Sequence, residues 1–238
     1  MNIGTEAPVW RRVALGDLPG DVPPAFMLEF SVQPDVLEDF ARTGIACPPA
    51  VLRSVPKRQA EYLAGRRAAV AALREQGCDV TDLATATGRA PAWPRGFVGS
   101  ITHADGIAAA VAMRAGRVQG IGIDVEHVAD AQAVDAIRQI AVSGPECERL
   151  AAFAGTLGWP FVLTLAFSAK ESFYKAAYAS LGRFFDFGAL TILRCMPERG
   201  IIEAEVTDTL SDSIRTGMRL TITYRRLGER LILTSCAL

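Results

Sequence analysis

The chain has 238 residues, with 25 Lys plus Arg against 26 Asp plus Glu and a formal charge of −1. Half of the residues are hydrophobic, 21% are charged, and there are 21 Gly and 13 Pro. This is ordinary globular usage: it excludes a collagen, a disordered tail and a disulfide-packed miniprotein, and it argues against a general nucleic-acid binder.

Residues 1–55 are Pro-rich in patches and read as strands and loops. Lys57 to Gln76 interleaves Ala, Leu and Val with charges and stops at Gly77, which predicts a helix. Thr87 to Gly99 is a Gly/Pro loop. Ile107 to Met113 and Val118 to Val125 are apolar runs either side of Ala115-Gly116-Arg117, and together they predict a hairpin. Residues 131–154 and 161–181 read as helices. Four runs then predict an antiparallel meander: Ala189–Arg194, Ile201–Val206, Arg219–Arg225 and Leu231–Ser235. The class is therefore α+β. The chain divides into two comparable halves, about 1–119 and 120–238.

Leu150 to Ala169 carries no charge and is long enough to span a bilayer. Gly155, Gly158 and Pro160 interrupt it, so two buried helices with a turn at Gly158-Trp159-Pro160 are expected instead of a membrane span. The N-terminus lacks a secretory pattern. Five widely spaced cysteines with no C-x-x-C pair suit reduced thiols in a cytoplasm.

Four constellations can carry chemistry. In Gly120-Ile121-Gly122-Ile123-Asp124-Val125-Glu126, strand alternation puts Asp124 and Glu126 on one face, roughly 7 Å apart at Cα, with Val125 toward the core. They are either two solvated acids or half of an oxygen-ligand site for a hard cation such as Mg²⁺, with Mn²⁺ left open. In Phe167-Ser168-Ala169-Lys170-Glu171-Ser172-Phe173-Tyr174-Lys175, Glu171 and Lys175 share a helix face while Lys170 is turned by about 100°. They are either an exposed ion pair or a third carboxylate with a cation. Gly99-Ser100-Ile101-Thr102-His103 holds one of the two histidines, either structural or placed beside a phosphate. Finally Lys57, Arg58, Arg66 and Arg67 lie on the predicted helix and Arg89 and Arg95 in the loop, where guanidinium forks suit phosphate oxygens. Lys57 and Arg58 read as a solvated face. No Walker loop and no G-x-G-x-x-G occurs, and nothing arranges Ser, His and Asp for nucleophilic catalysis.

The order KRQAEYLAGRRAA (57–69), GRAPAWPRGFVGSITH (88–103), GIGIDVE (120–126) and FSAKESFYKAAY (167–178) resembles the 4′-phosphopantetheinyl transferases of the surfactin- and enterobactin-synthetase type. The resemblance covers residues 57–188. It implies an α+β pseudo-dimer of two similar halves with coenzyme A between them. It implies Mg²⁺-dependent transfer of phosphopantetheine from coenzyme A to a serine of an apo acyl or peptidyl carrier protein, releasing 3′,5′-ADP. Siderophore, nonribosomal peptide, polyketide and fatty-acid synthases are the carriers in view, and a monomer is expected.

By the same resemblance Asp124, Glu126 and Glu171 match metal-binding acids. Lys170 and Lys175 match basic residues near the phosphates, and Arg66, Thr102 and His103 match cofactor contacts. Arg89 matches a contact to the 3′-phosphate. Glu171, directly or through a metal-bound water, is the expected base, with Lys175 and His103 absorbing charge. Many relatives have Ser where Thr102 stands, some have Trp at the Phe167 position, and others have a carboxylate at Val125. The carrier is expected to meet Arg183 and Phe184-Phe185-Asp186-Phe187. A Mg²⁺-dependent phosphohydrolase using the same three acids is the alternative.

Overall fold

The computed structural model describes residues 9–86, 90–142 and 144–238. Strands β1 (Trp10–Val13), β2 (Ala25–Glu29), β3 (Phe97–Ala104) and β4 (Ile107–Arg114) form one antiparallel sheet in the order β1-β2-β4-β3. Helices α1 (Val36–Thr43), α2 (Pro49–Leu52) and α3 (Pro56–Glu75) lie between β2 and β3 in the chain. Then come β5 (Ile121–His127), α4 (Ala131–Ala141), α5 (Gly144–Leu157) and α6 (Trp159–Leu181). Strands β6 (Leu190–Met196), β7 (Ile201–Val206), β8 (Arg219–Arg226) and β9 (Leu231–Ala237) follow. The second antiparallel sheet runs β5-β9-β8-β7-β6. The α+β class is as expected.

Local chemistry explains the two long helices. Pro56 opens α3 and Pro160 opens α6, each where a missing N–H costs nothing. Gly77 and Gly182 follow their ends with φ of 75° and 61°, a conformation glycine takes without a Cβ penalty.

The molecule is layered as helix, sheet, sheet, helix. Met27, Val111 and Met113 of the first sheet pack on Ile121, Ile123, Val125 and Leu233 of the second. On one outer face Ala68, Ala72 and Leu73 of α3 meet Ala110 and Ala112. On the other, Ala169, Phe173 and Ala176 of α6 meet Ile222 and Cys236. Each large side chain buried in these layers contributes about 1.5–3 kcal/mol.

Three expectations are corrected. The β4 run does not pair with the run after residue 117: β4 pairs with β3 from Phe97↔Arg114 to Ala104↔Ile107, and β5 pairs with β9. Two apolar runs around a turn look like a hairpin locally. The N–H groups of Gln119 and Gly120 instead bond to the carbonyl of Leu238, so here the chain steps from one sheet to the other. Residues 131–154 are two helices rather than one, because Pro145 fits the first turn of a helix and not its interior. Residues 1–55 hold the short helices α1 and α2 as well as strands.

Candidate functional site

The site begins at a seam between the sheets. Strands β3 and β5 are edge strands, and β5 has backbone N–H groups pointing away from β9. Two hydroxyls satisfy them: Ser100 Oγ accepts from Ile123 N and Thr102 Oγ1 accepts from Val125 N, both at 3.0 Å. Thr102 also donates to Asp124 Oδ1 at 3.1 Å. Alternation along β3 thus turns Ser100 and Thr102 into a side-chain ladder, and leaves Ile101 to face α3.

On β5, Ile121, Ile123 and Val125 enter the core between the sheets, so Gly122, Asp124 and Glu126 face α6. A Cβ on Gly122 would run into the backbone carbonyl of Ser172 and lie 2.6 Å from the N of Ala176. Strand and helix backbones therefore touch. That proximity sets Lys175 Nζ 2.6 Å from Asp124 Oδ1 and 3.2 Å from the carbonyl of Ile123.

Asp124 is 3% exposed, and its second oxygen, Oδ2, is buried with no hydrogen-bond partner. Burial and the charges of Asp124 and Glu171 push the Glu126 carboxyl up to about 7, against a pull from Lys175. Burial also raises Glu171, with Asp124 adding to it and Lys175 opposing. Negative charge is thus crowded here beyond what one ammonium offsets.

Among the described residues no three His, Cys, Asp or Glu side chains are already drawn into a metal cluster. The donor set still fits a hard divalent cation: oxygens only, one of them a buried orphan, and carboxyls that resist ionisation without added positive charge.

The other wall is cationic. Arg58 Nη1 donates to His103 Nε2 at 2.8 Å. A guanidinium only donates, so Nε2 accepts and the ring proton sits on Nδ1, which lies 3.8 Å from Glu61 Oε2. Burial lowers the His103 pKa, with Arg58 and Lys175 helping and Glu61 and Asp124 opposing.

Two helical turns beyond Arg58, Arg66 is 4% exposed. Its Nη2 donates to Thr85 Oγ1 at 2.9 Å, its guanidinium lies 4.6 Å from the Tyr62 ring centre, and its Nε is buried without a partner. Tyr62 OH is also 2.9 Å from Thr85 Oγ1. A buried guanidinium that meets no carboxylate among the described residues is suited to an incoming anion.

Asp124, Glu126, Glu171, Lys175, Thr102 and His103 therefore stand together, with Arg66 on the adjoining wall. Thr102 is buried, and its hydroxyl holds Asp124 and β5. Lys170 is 2% exposed and directed elsewhere: its Nζ lies 2.7 Å from Glu146 Oε2 and 2.7 Å from the carbonyl of Ala141. Arg89 lies outside the described residues. Sequence reasoning set Arg58 aside as a solvated residue and passed over Glu61, Tyr62 and Thr85. The signal for two of them was spacing, since positions 58, 62 and 66 recur every four residues on one face of α3.

Beside Glu171, a cleft of about 160 Å³ opens between α6 and residues 184–187, bordered by Phe173, Tyr174, Phe185 and Phe187. Phe184 is 73% exposed at its edge. Arg183 donates to the carbonyl of Leu210 at 3.0 Å. No helix among the described residues is long and apolar enough to cross a membrane.

Comparison with known proteins returns two family models. Residues 48–113 match the 4′-phosphopantetheinyl transferase N-terminal domain, and residues 120–218 match the 4′-phosphopantetheinyl transferase superfamily. Enterobactin synthase component D of Escherichia coli K12 is 44% identical over 121 residues, 51% of this chain and 55% of that protein. The chain thus spans about half the length of such relatives. The 4′-phosphopantetheinyl transferase Svp of Streptomyces mobaraensis is 34% identical over 189 residues, 79% of this chain and 75% of its own. The transferase Npt of Nocardia iowensis is 32% identical over 163 residues, 68% and 67% respectively.

Proposed function

Because the chain belongs to the 4′-phosphopantetheinyl transferase superfamily, we propose that it moves the 4′-phosphopantetheine arm of coenzyme A onto a serine hydroxyl of an apo acyl or peptidyl carrier protein, releasing 3′,5′-ADP. The observation that carries this reading is the meeting of two walls at the β3–β5 seam. One presents Asp124, Glu126 and Glu171, and the other presents Arg58, His103 and Arg66. A pyrophosphate needs both: cations on its oxygens and acids for the counter-ion it brings.

In the reaction the serine oxygen forms a bond to the phosphorus that carries pantetheine, and the bond from that phosphorus to the bridging oxygen breaks. Glu171 accepts the serine proton, directly or through a water. Lys175 stabilises charge gathering on the phosphoryl oxygens, and the bridging electrons leave with 3′,5′-ADP. His103 and Arg58 hold the departing nucleotide's phosphates, and Arg66 takes its remaining phosphate, a role for which the sequence resemblance also offers Arg89. Thr102 acts behind Asp124 by fixing its orientation. A Mg²⁺ or Mn²⁺ ion held by Asp124, Glu126 and Glu171 would neutralise pyrophosphate charge.

The two halves, about 1–119 and 120–238, each supply one wall, which is why a monomer suffices. The carrier meets Arg183 and the exposed Phe184 beside the cleft. Carriers of siderophore synthases are the first to try, given the similarity to enterobactin synthase component D. Nonribosomal peptide, polyketide and fatty-acid carriers come next, in a cytoplasmic setting.

Intact-mass analysis of an apo carrier incubated with the chain, coenzyme A and Mg²⁺ tests the reading. The expected result is a gain of one phosphopantetheine, abolished by Glu171→Gln with the fold intact by circular dichroism. Nucleotide release with an unchanged carrier mass would make the protein a phosphohydrolase. Near-normal transfer by Glu171→Gln would remove Glu171 as the base.

A further inference from the structure

The buried ion pair at Lys170 lies outside the chemistry just described. Lys170 sits next to Glu171 in sequence and borders the aromatic cleft, yet its ammonium is spent within the protein. Nζ binds Glu146 Oε2 on α5 and the last carbonyl of α4, Ala141 O, each at 2.7 Å. The other oxygen of Glu146 accepts from Ile192 N on β6 at 2.6 Å. Four elements are thus joined at one point where Lys170 and Glu146 are 2% and 1% exposed.

The opposite face of α6 shows why such a point is needed. Ala169 and Ala176 face the sheet there, while Gly120 and Gly122 bring β5 against helix backbone. Phe161, Leu165 and Phe173 anchor α6 in the core, but at β5 small side chains meet bare backbone and give few knobs and holes, so polar ties add to the packing in setting rotation and axial position. Ser168 supplies one, with Oγ 2.9 Å from Thr234 Oγ1 and 3.3 Å from the carbonyl of Asp124. Thr164 Oγ1 accepts from Ala129 N at 2.9 Å. Lys170 supplies one from the far side.

We propose that Lys170 is a positioning residue and not a ligand of the substrate's phosphates: its ion pair with Glu146 fixes the turn of α6 that presents Glu171 and Lys175 to Asp124. This rests on the transfer reaction proposed above.

The test is a double variant, Lys170→Met with Glu146→Gln. Glutamine keeps an oxygen for Ile192 N–H and offers an amide to Ala141 O, so no charge is left buried and the fold is preserved. Lys170→Met alone should lower Tm by roughly 10 °C, and the double variant should recover most of that. Assayed with a carrier that the wild type modifies, the double variant should keep its KM for coenzyme A within about threefold while kcat falls about tenfold or more. The dissociation constant for coenzyme A, measured by calorimetry, should follow KM. A tenfold rise in KM and in the dissociation constant would make Lys170 a substrate ligand and overturn the proposal. Wild-type kcat in the double variant would reduce the pair to plain stability and overturn it as well. A wild-type protein that modifies no carrier would instead overturn the transfer reaction, and the positioning role with it.

Discussion

Helices α3 and α6 are the two longest helices, and both lie on a sheet partly through small residues, but they bring different charges to the seam. Helix α3 carries Arg58 and Arg66, and α6 carries Glu171 with Lys175. The glycines differ too. At the contact of α3 with its sheet the close-approach glycine is Gly65, on the helix, and a Cβ there would lie 2.9 Å from the Ile101 Cγ2 methyl. At the contact of α6 the glycines are on the strand, and a Cβ on Gly122 would strike helix backbone. A side-chain methyl gives more readily than a helical carbonyl. The α3 contact is therefore adjustable, while the α6 contact has one distance, the one at which Lys175 reaches Asp124.

The sharpest way to break this comparison is to add one methyl to each side. Gly122→Ala should cost about 3 kcal/mol or more in urea unfolding and abolish transfer, because α6 must back away from β5. Gly65→Ala should cost about 1 kcal/mol, since the helix preference of Ala offsets part of what the displaced Ile101 methyl loses. Equal losses would mean that the two contacts are alike after all.

The cationic wall can be probed separately. Arg66→Met should raise the KM for coenzyme A by about tenfold or more and leave stability nearly unchanged, because the guanidinium is buried with an unsatisfied Nε and no carboxylate partner among the described residues. An unchanged KM accompanied by clear destabilisation would make Arg66 a structural residue of the α3 half.

The two walls were not equally legible in the sequence. Strand alternation placed Asp124 and Glu126 on one face, helical spacing joined Glu171 to Lys175, and the C-terminal meander and both long helices stand close to where periodicity put them. All of that information is local. The false hairpin failed because β5 pairs with β9, more than a hundred residues away, and a turn between two apolar runs cannot reveal that. The sequence groups Lys170 with the phosphates because it adjoins Glu171; its ion-pair partner in the structure, Glu146, lies on a helix whose boundaries the sequence blurs. Arg58 is exposed, as its pattern predicts, but its bond to His103, 45 positions on, is not a local signal.

Between the walls stands Thr102, whose hydroxyl serves both sheets. Thr102→Val keeps the shape but leaves Val125 N–H without its acceptor and Asp124 Oδ1 without one donor. The expected cost is about 1–3 kcal/mol with reduced transfer, and Thr102→Ser should restore both. Wild-type stability and transfer in Thr102→Val would show that the ladder carries neither.

The pH dependence of stability sharpens the comparison most, since it belongs to the acidic wall alone. The Glu126 carboxyl rises from 4.5 to about 7 on folding, through burial and the neighbouring acids, so between those values the folded protein binds more protons than the unfolded chain. Its contribution is therefore fully present below pH 4.5 and is lost as pH climbs through about 7. Without a divalent cation, wild-type stability should fall across that window by on the order of 1–2 kcal/mol relative to Glu126→Gln, in parallel urea titrations. Magnesium should flatten the difference, because a cation favours the ionised carboxyl that burial opposes. An opposite slope would mean that Glu126 is already well paired in the free protein, and that the acidic wall does not await a cation.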